Sequence, residues 1–279
     1  MYRTAALLIA ALLLVAPSQA DAASVDKDPS SSCSVRVHYP NPVPSGVNVF
    51  VLAVGTAMSR TAYDNLAEQL VAKNYVAVIM DHQKGNMTKT DAGKFTSCVK
   101  SVKAQIASWL NPAGFKSASH WILGGHSAGG QAAHYAIAAT PSLADAIFSI
   151  DPYNLSSAPA VHGPALYWGF TGTTCFVTVS DAAKAAYLQT SGHRVEVKVG
   201  SVYSFNPCGY APKYYHCSFT DASCPACTNC RFTPSYFFTD IANTVQKFVN
   251  AAFYSGWTRS ALTVSTTTPV TFYVDGDQP

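Results

Sequence analysis

The run HWILGGHSAGGQAAHYAIAAT, residues 120–140, decides how the rest of the chain is read. An apolar run ends on Gly124-Gly125. The tripeptide His126-Ser127-Ala128 follows, then Gly129-Gly130 and an alanine-rich stretch. The first part has the character of a buried strand. QAAHYAIAA has the character of a helix, stopped before Pro141. Gly125-His126-Ser127-Ala128-Gly129 therefore reads as G-x-S-x-G at a strand-to-helix turn, the setting that lifts a serine as a nucleophile. Such a turn is tight, so small residues must flank the serine, and the helix behind it directs its positive end at the site. A Walker-type phosphate loop needs G-K-[ST], which this stretch lacks.

Outward from this turn, strand and helix patterns alternate. VRVHY (35–39), VNVFVLAV (47–54), YVAVIM (75–80), AIFSI (146–150), ALYWGF (165–170) and VEVKV (195–199) have strand character, several of them apolar throughout as strands buried on both faces are. Tyr63, Leu66, Ala67, Leu70 and Val71 recur at helical spacing, as do Phe95, Val99, Val102, Ile106 and Trp109. A long helix follows Pro234, with Thr233 as its expected N-cap and a stripe of Phe238, Ile241, Val245, Phe248 and Ala252. The alternation implies a mostly parallel sheet with helices on both faces, in one α/β domain. The Ser- and Asp-rich residues 24–34 read as a flexible lead-in. Residues 257–279 read as a C-terminal extension, either an edge hairpin or an ordered tail.

Hydrophobic residues make up 48% of the 279 and charged residues only 12%, against about 25% charged in an average soluble domain. A sizeable core is available, and the surface is built largely from uncharged polar residues. The net charge of +3 is small and no basic stripe interleaved with aromatics occurs, which argues against a nucleic-acid partner. Residues 1–22 read as a signal peptide: Arg3, the apolar AALLIAALLLVA, then small-residue cleavage sites after Ala20 or Ala22. The apolar run is shorter than the roughly 20 residues of a membrane span. The expected product is secreted, residues 23–279, with no stable membrane insertion. All eight cysteines lie beyond the signal, an even number that favours disulfides in an oxidising compartment. The Cys-rich segment 208–230 contains C-x-x-C-x-x-C, but no histidine is spaced to complete a zinc set. No metal is expected. Asn86 and Asn154 head N-x-[ST] sequons.

A serine hydroxyl needs a base, and the base needs an orienting acid. On a strand–turn–helix nucleophile these follow in the order Ser, acid, His. His162 and His193 precede strands, so they emerge at the wrong end of a parallel sheet. His216 follows strand 195–199 and precedes the last long helix, where a loop can carry it back over the sheet's carboxyl edge. Thr174-Cys175 occupies the place after strand 165–170 where an acid is often found. Asp151, directly after AIFSI, supplies the carboxylate at a strand end instead. The expected oxyanion donors are the backbone N–H groups of Ala128 and of Thr56, after Gly55.

At these residues the chain resembles the α/β-hydrolase family, in the branch of chlorophyllases, platelet-activating-factor acetylhydrolases and cutinase-like polyesterases. GTAMSRTAYDNLAEQLVAKNYVAVIMD is similar to the family's oxyanion loop, helix and strand. GGHSAGG is similar to its elbow, SIDPYN to the Asp-Pro segment of chlorophyllases, and KYYHCSFTD to their His segment. The resemblance spans about Val47 to Phe253. It implies an α/β-hydrolase fold and a serine hydrolase using Ser127, Asp151 and His216, with no cofactor. The short stretch between Asp151 and strand 165–170 leaves little room for a large lid. The chain departs from the family pattern at Val54-Gly55, where many members have His-Gly, and at Ala128, where chlorophyllases carry Arg. The expected substrate is a small-molecule, lipid or polyester-like ester. Lipase, thioesterase or amidase action on the same fold is the neighbouring alternative. A non-catalytic carrier of hydrophobic ligands is the alternative of another class.

Overall fold

The computed structural model describes residues 21–81, 91–155, 157–170, 182–200, 203–206, 209–212, 216–221, 233–277 and 279. Residues 1–20 of the expected signal segment 1–22, Asn86, the Thr174-Cys175 position and Cys208, Cys224, Cys227 and Cys230 lie outside them.

The main strands are β1 (Asp21–Ser30), β2 (Cys33–Asn41), β3 (Val47–Ala53), β4 (Val76–Asp81), β5 (Ala118–His126) and β6 (Ala146–Ile150). A two-residue strand, β7 (Val161–His162), comes before β8 (Ala165–Phe170), and another, β9 (Thr190–Ser191), before β10 (Arg194–Val199). A small hairpin, β11 (Tyr203–Asn206) with β12 (Gly209–Pro212), precedes the last strand, β13 (Val270–Val274). Nine of these form one sheet in the order β1-β2-β4-β3-β5-β6-β8-β10-β13. The run from β4 to β10 is parallel throughout. β2 is antiparallel to β4, β1 to β2, and β13 to β10.

Helices cover both faces. α1 (Asp64–Val71) and α5 (Ser235–Asn250) bury Leu66, Leu70, Ile241, Val245 and Phe248 against Phe50, Leu52, Phe148 and Val197. α2 (Ala92–Leu110), α3 (Ala128–Ala139) and α4 (Ala182–Leu188) bury Val99, Ile106, Ala133 and Ala186 against Val49, Val51, Leu123 and Tyr167. Alternate residues of one strand thus serve opposite layers, so the central strands are apolar at every position. A short helix, α6 (Arg259–Leu262), is capped by the Thr258 side chain.

Two expectations need correction, and one pair of alternatives is decided. Residues 24–34 are not a flexible lead-in. Most of them form edge strand β1, which pairs with β2 from Asp21↔Asn41 to Ser30↔Cys33. Its sequence is polar because β1 is nowhere fully buried. Of the two readings of the C-terminal residues the structure shows the ordered tail, which adds Val270–Val274 to the edge of the sheet beside β10. Asp240, buried in α5, accepts hydrogen bonds from the N–H groups of Thr267 and Thr268 and anchors the approach to that strand. Thr233 does not cap α5, which starts at Ser235 behind Pro234 and has no side-chain cap.

The chain runs from β3 to β4 on one side and then crosses to β5 on the other. The strand order therefore reverses at the carboxyl ends of β3 and β5, the crevice where open parallel sheets place their ligands. Cys33 at the start of β2 is disulfide-bonded to Cys98 in α2, with Cα atoms 5.5 Å apart.

Candidate active site

Ser127 stands between β5 and α3 at φ 54°, ψ −125°. Few residues other than glycine take positive φ, and the strain persists only where the surroundings over-determine it. Here they do. The Ser127 N–H donates to Ile150 O at 3.1 Å, and the Ser127 carbonyl accepts from Tyr153 N–H at 2.8 Å and Gln131 N–H at 3.1 Å. The turn rests directly on the end of β3. A Cβ at Gly129 would lie 2.3 Å from the Ala53 carbonyl oxygen, and one at Gly125 would lie 2.5 Å from the same atom. The flanking glycines are thus a packing requirement of the strained turn.

Asp151 follows β6 at φ 39°, and its N–H donates to Trp168 O on β8 at 2.6 Å. Its Oδ2 lies 2.6 Å from His216 Nδ1. A carboxylate only accepts, so Nδ1 carries the hydrogen, which leaves Nε2 as the nitrogen that can act as acceptor. Both groups are withdrawn from water, with His216 1% and Asp151 6% exposed. His216 opens a short 3-10 turn, His216–Phe219. Phe219 packs on Phe170 and Phe237, and Cys217 is disulfide-bonded. Beyond the turn, Asp221 N–H donates to Ala62 O, and the Asp221 carboxylate accepts from the backbone and side-chain amides of Asn65. The His216 segment is thereby fastened to the start of α1.

The structure brings Asp151 and His216 into direct contact and puts Ser127 on the adjacent turn. Among the described residues the Ser127 side chain makes no hydrogen bond to either. Thr56 lies in a turn closed by Met58 N–H to Gly55 O at 3.1 Å, with Ala57 at φ 59°. Ala128 heads α3, where the leading N–H groups have no partner within the helix. His162, the last residue of β7, and His193 come just ahead of the amino ends of β8 and β10, His162 bonded to Ser191 and His193 stacked on Trp257. Between Asp151 and β8 the chain folds back onto the sheet, burying Leu155, Ala158 and Val161. No group of three metal-binding side chains occurs among the described residues, and no helix there is long and apolar enough to cross a membrane.

Two residues at this site escaped the sequence reading. His126 is buried beside Ser127, its ring centroid 4.4 Å from that of His216. Burial first, and the nearby His216 second, hold it well below the usual histidine range. Its Nδ1 is 2.8 Å from the Tyr63 hydroxyl, and its Nε2 is 3.0 Å from His216 O. The Tyr63 oxygen accepts from Gly55 N–H at 2.9 Å, and burial pushes the Tyr63 phenol well above its ordinary value. His126 occupies a variable position of the turn pattern, and Tyr63 counts as one residue of a helical stripe, so neither carried a local signal. No protein-family model matches this chain, and none of the curated proteins matches its sequence.

Proposed function

We propose that the protein is a secreted serine hydrolase of the α/β-hydrolase fold that cleaves carboxylic esters. One observation carries this reading: a strained serine on a strand-to-helix turn stands beside a buried Asp–His pair at the sheet's reversal point. In this reading Ser127 attacks the ester carbonyl and His216 Nε2 takes its proton. Asp151 holds the imidazole in the required tautomer and offsets its positive charge. The Ala128 and Thr56 N–H groups stabilise the oxyanion; losing one such donor typically costs about 3 kcal/mol. His216 then protonates the leaving alcohol, and water repeats the sequence on the acyl-enzyme. The nucleophile–base hydrogen bond forms as the substrate complex tightens, as it does in many sites that are loose when empty. The Cys33–Cys98 disulfide and the disulfide at Cys217 support export to an oxidising compartment.

The test is hydrolysis of p-nitrophenyl esters from acetate to palmitate by the secreted protein and by Ser127→Ala. Turnover abolished in the variant is expected, and the chain-length optimum sizes the acyl site. A well-folded protein that hydrolyses none of them and is not labelled by a serine-directed phosphonate would overturn the reading in favour of a ligand carrier.

A further inference from the structure

We infer that Tyr63 and His126 form a buried relay that positions the turn carrying Thr56 and the segment carrying His216 relative to each other. This rests on the esterase reading for its catalytic meaning, but the relay itself rests on geometry alone. Three hydrogen bonds join Gly55, Tyr63, His126 and His216 in series, at 2.9, 2.8 and 3.0 Å. Their directions are all determined. The His216 carbonyl only accepts, so His126 Nε2 carries the hydrogen. The ring is buried and neutral, so Nδ1 is an acceptor and the Tyr63 hydroxyl donates to it. The phenol oxygen then accepts from the Gly55 N–H, which can only donate. Donors and acceptors match at every step, and each ring polarises the next.

The ends of the series matter most. Gly55 precedes Thr56, the expected oxyanion donor, and its N–H is held by Tyr63. The backbone of His216, the expected base, is held by His126, whose own backbone precedes Ser127. One ring thus spans the nucleophile's turn and the base's segment, and the second ties both to the oxyanion turn. The space is filled to contact: a Cβ on Gly55 would lie 3.1 Å from His126 Nδ1, 3.3 Å from Ser127 Cβ and 3.4 Å from the Tyr63 hydroxyl. A shift of either ring is therefore a shift of the catalytic elements. Tyr63 and His126 are positioning residues, because their polar atoms are engaged with each other and with the backbone of Gly55 and His216, and not with the reacting atoms.

The experiment compares wild type with Tyr63→Phe, His126→Phe, their double variant and His126→Gln. Tyr63→Phe keeps the ring and deletes one hydroxyl. His126→Gln keeps one donor and one acceptor, whereas His126→Phe keeps neither. The expected result is a roughly tenfold to hundredfold fall in kcat for Tyr63→Phe and His126→Phe, the scale of a small misplacement of catalytic groups. KM should stay within about twofold, and the double variant should lose little more than the worse single one, because members of one network are non-additive. His126→Gln should recover part of kcat. A kcat within twofold of wild type in Tyr63→Phe would overturn the proposal. So would losses that add in the double variant, or no recovery in His126→Gln at equal melting temperature. Nitrogen NMR of histidine-labelled wild-type protein provides a readout without substrate: His126 must be the neutral Nε2–H tautomer, and the His216 ring signals must move in Tyr63→Phe. The opposite His126 tautomer, or unmoved His216 signals, would sink the relay even in an active enzyme. Absent turnover with the expected tautomer and shifts would sink the esterase reading and leave the relay standing.

Discussion

Replacing Asp151 by Asn separates the charge of the acid from its shape. Asn is nearly isosteric and keeps an acceptor oxygen for His216 Nδ1, so the fold should survive with its melting temperature within a few degrees. In the proposed mechanism, what disappears is the carboxylate facing the imidazolium that would form as His216 takes the Ser127 proton. The contact is 2.6 Å, with the side chains of His216 and Asp151 only 2% and 9% exposed, so water screens it poorly. Taking the charge centres as about 4 Å apart and an effective dielectric of about 20, the lost attraction is about 4 kcal/mol. At 1.36 kcal/mol per decade that is about a thousandfold in kcat. KM should stay nearly unchanged, because Asp151 contacts His216, the proposed base, and not the proposed ester. The assay is steady-state hydrolysis of p-nitrophenyl butyrate near pH 8, with the thermal melt recorded alongside. A folded Asp151→Asn protein whose kcat falls less than tenfold would show that another group, or none, performs the acid's role.

Burial lowers the affinity of His38, His126 and His134 for a proton. The unfolded chain takes up these protons below about pH 6.5 more readily than the fold does, so stability should fall on acidification by up to about 1.4 kcal/mol per pH unit for each. Denaturant midpoints that stay constant or rise between pH 7.5 and 5 would contradict this. Ser127→Gly should unfold at a higher temperature than Ser127→Ala, because glycine relieves φ 54°; the net gain is about 1 kcal/mol once the freer unfolded chain is counted, and an unchanged or lower melt would argue against a strained turn. Replacing both Cys33 and Cys98 by Ala opens a link across 65 residues, with an expected loss of about 4 kcal/mol in chemical denaturation; an equal midpoint would remove the disulfide from the stability of this half of the sheet.

The parallel strands, the three helical stripes and the serine turn were legible because each is a local pattern whose period or spacing states its environment. Asp151 and His216 were legible through chain order and strand ends. β1 was not, because only Val25 in it is strongly apolar and its structure comes from pairing with β2. β13 was left open for a similar reason: Val270–Val274 becomes a strand by pairing with β10. The Tyr63–His126 series joins residues 63, 126 and 216, and no window of sequence contains such a pattern. The N-cap expected at Thr233 failed because Pro234 takes that place with extended backbone, φ −61° and ψ 138°.

The first hairpin also decides what the sheet exposes at this edge. β2 presents Val35 and Val37 to the core and would offer an open row of backbone groups if β1 were removed. Such a row is a template for a second molecule. β1 occupies it and shows the outside a strand interrupted by Asp26, Lys27, Asp28 and Pro29, with Asp26 held by Arg36 and Arg60. Those charges and the proline discourage any further strand from docking. The polar segment that looks dispensable in the sequence thus acts as a guard against self-association. A chain trimmed to Ser30 should keep most of its core but form strand-exchanged oligomers or aggregates at concentrations where the whole protein stays dispersed.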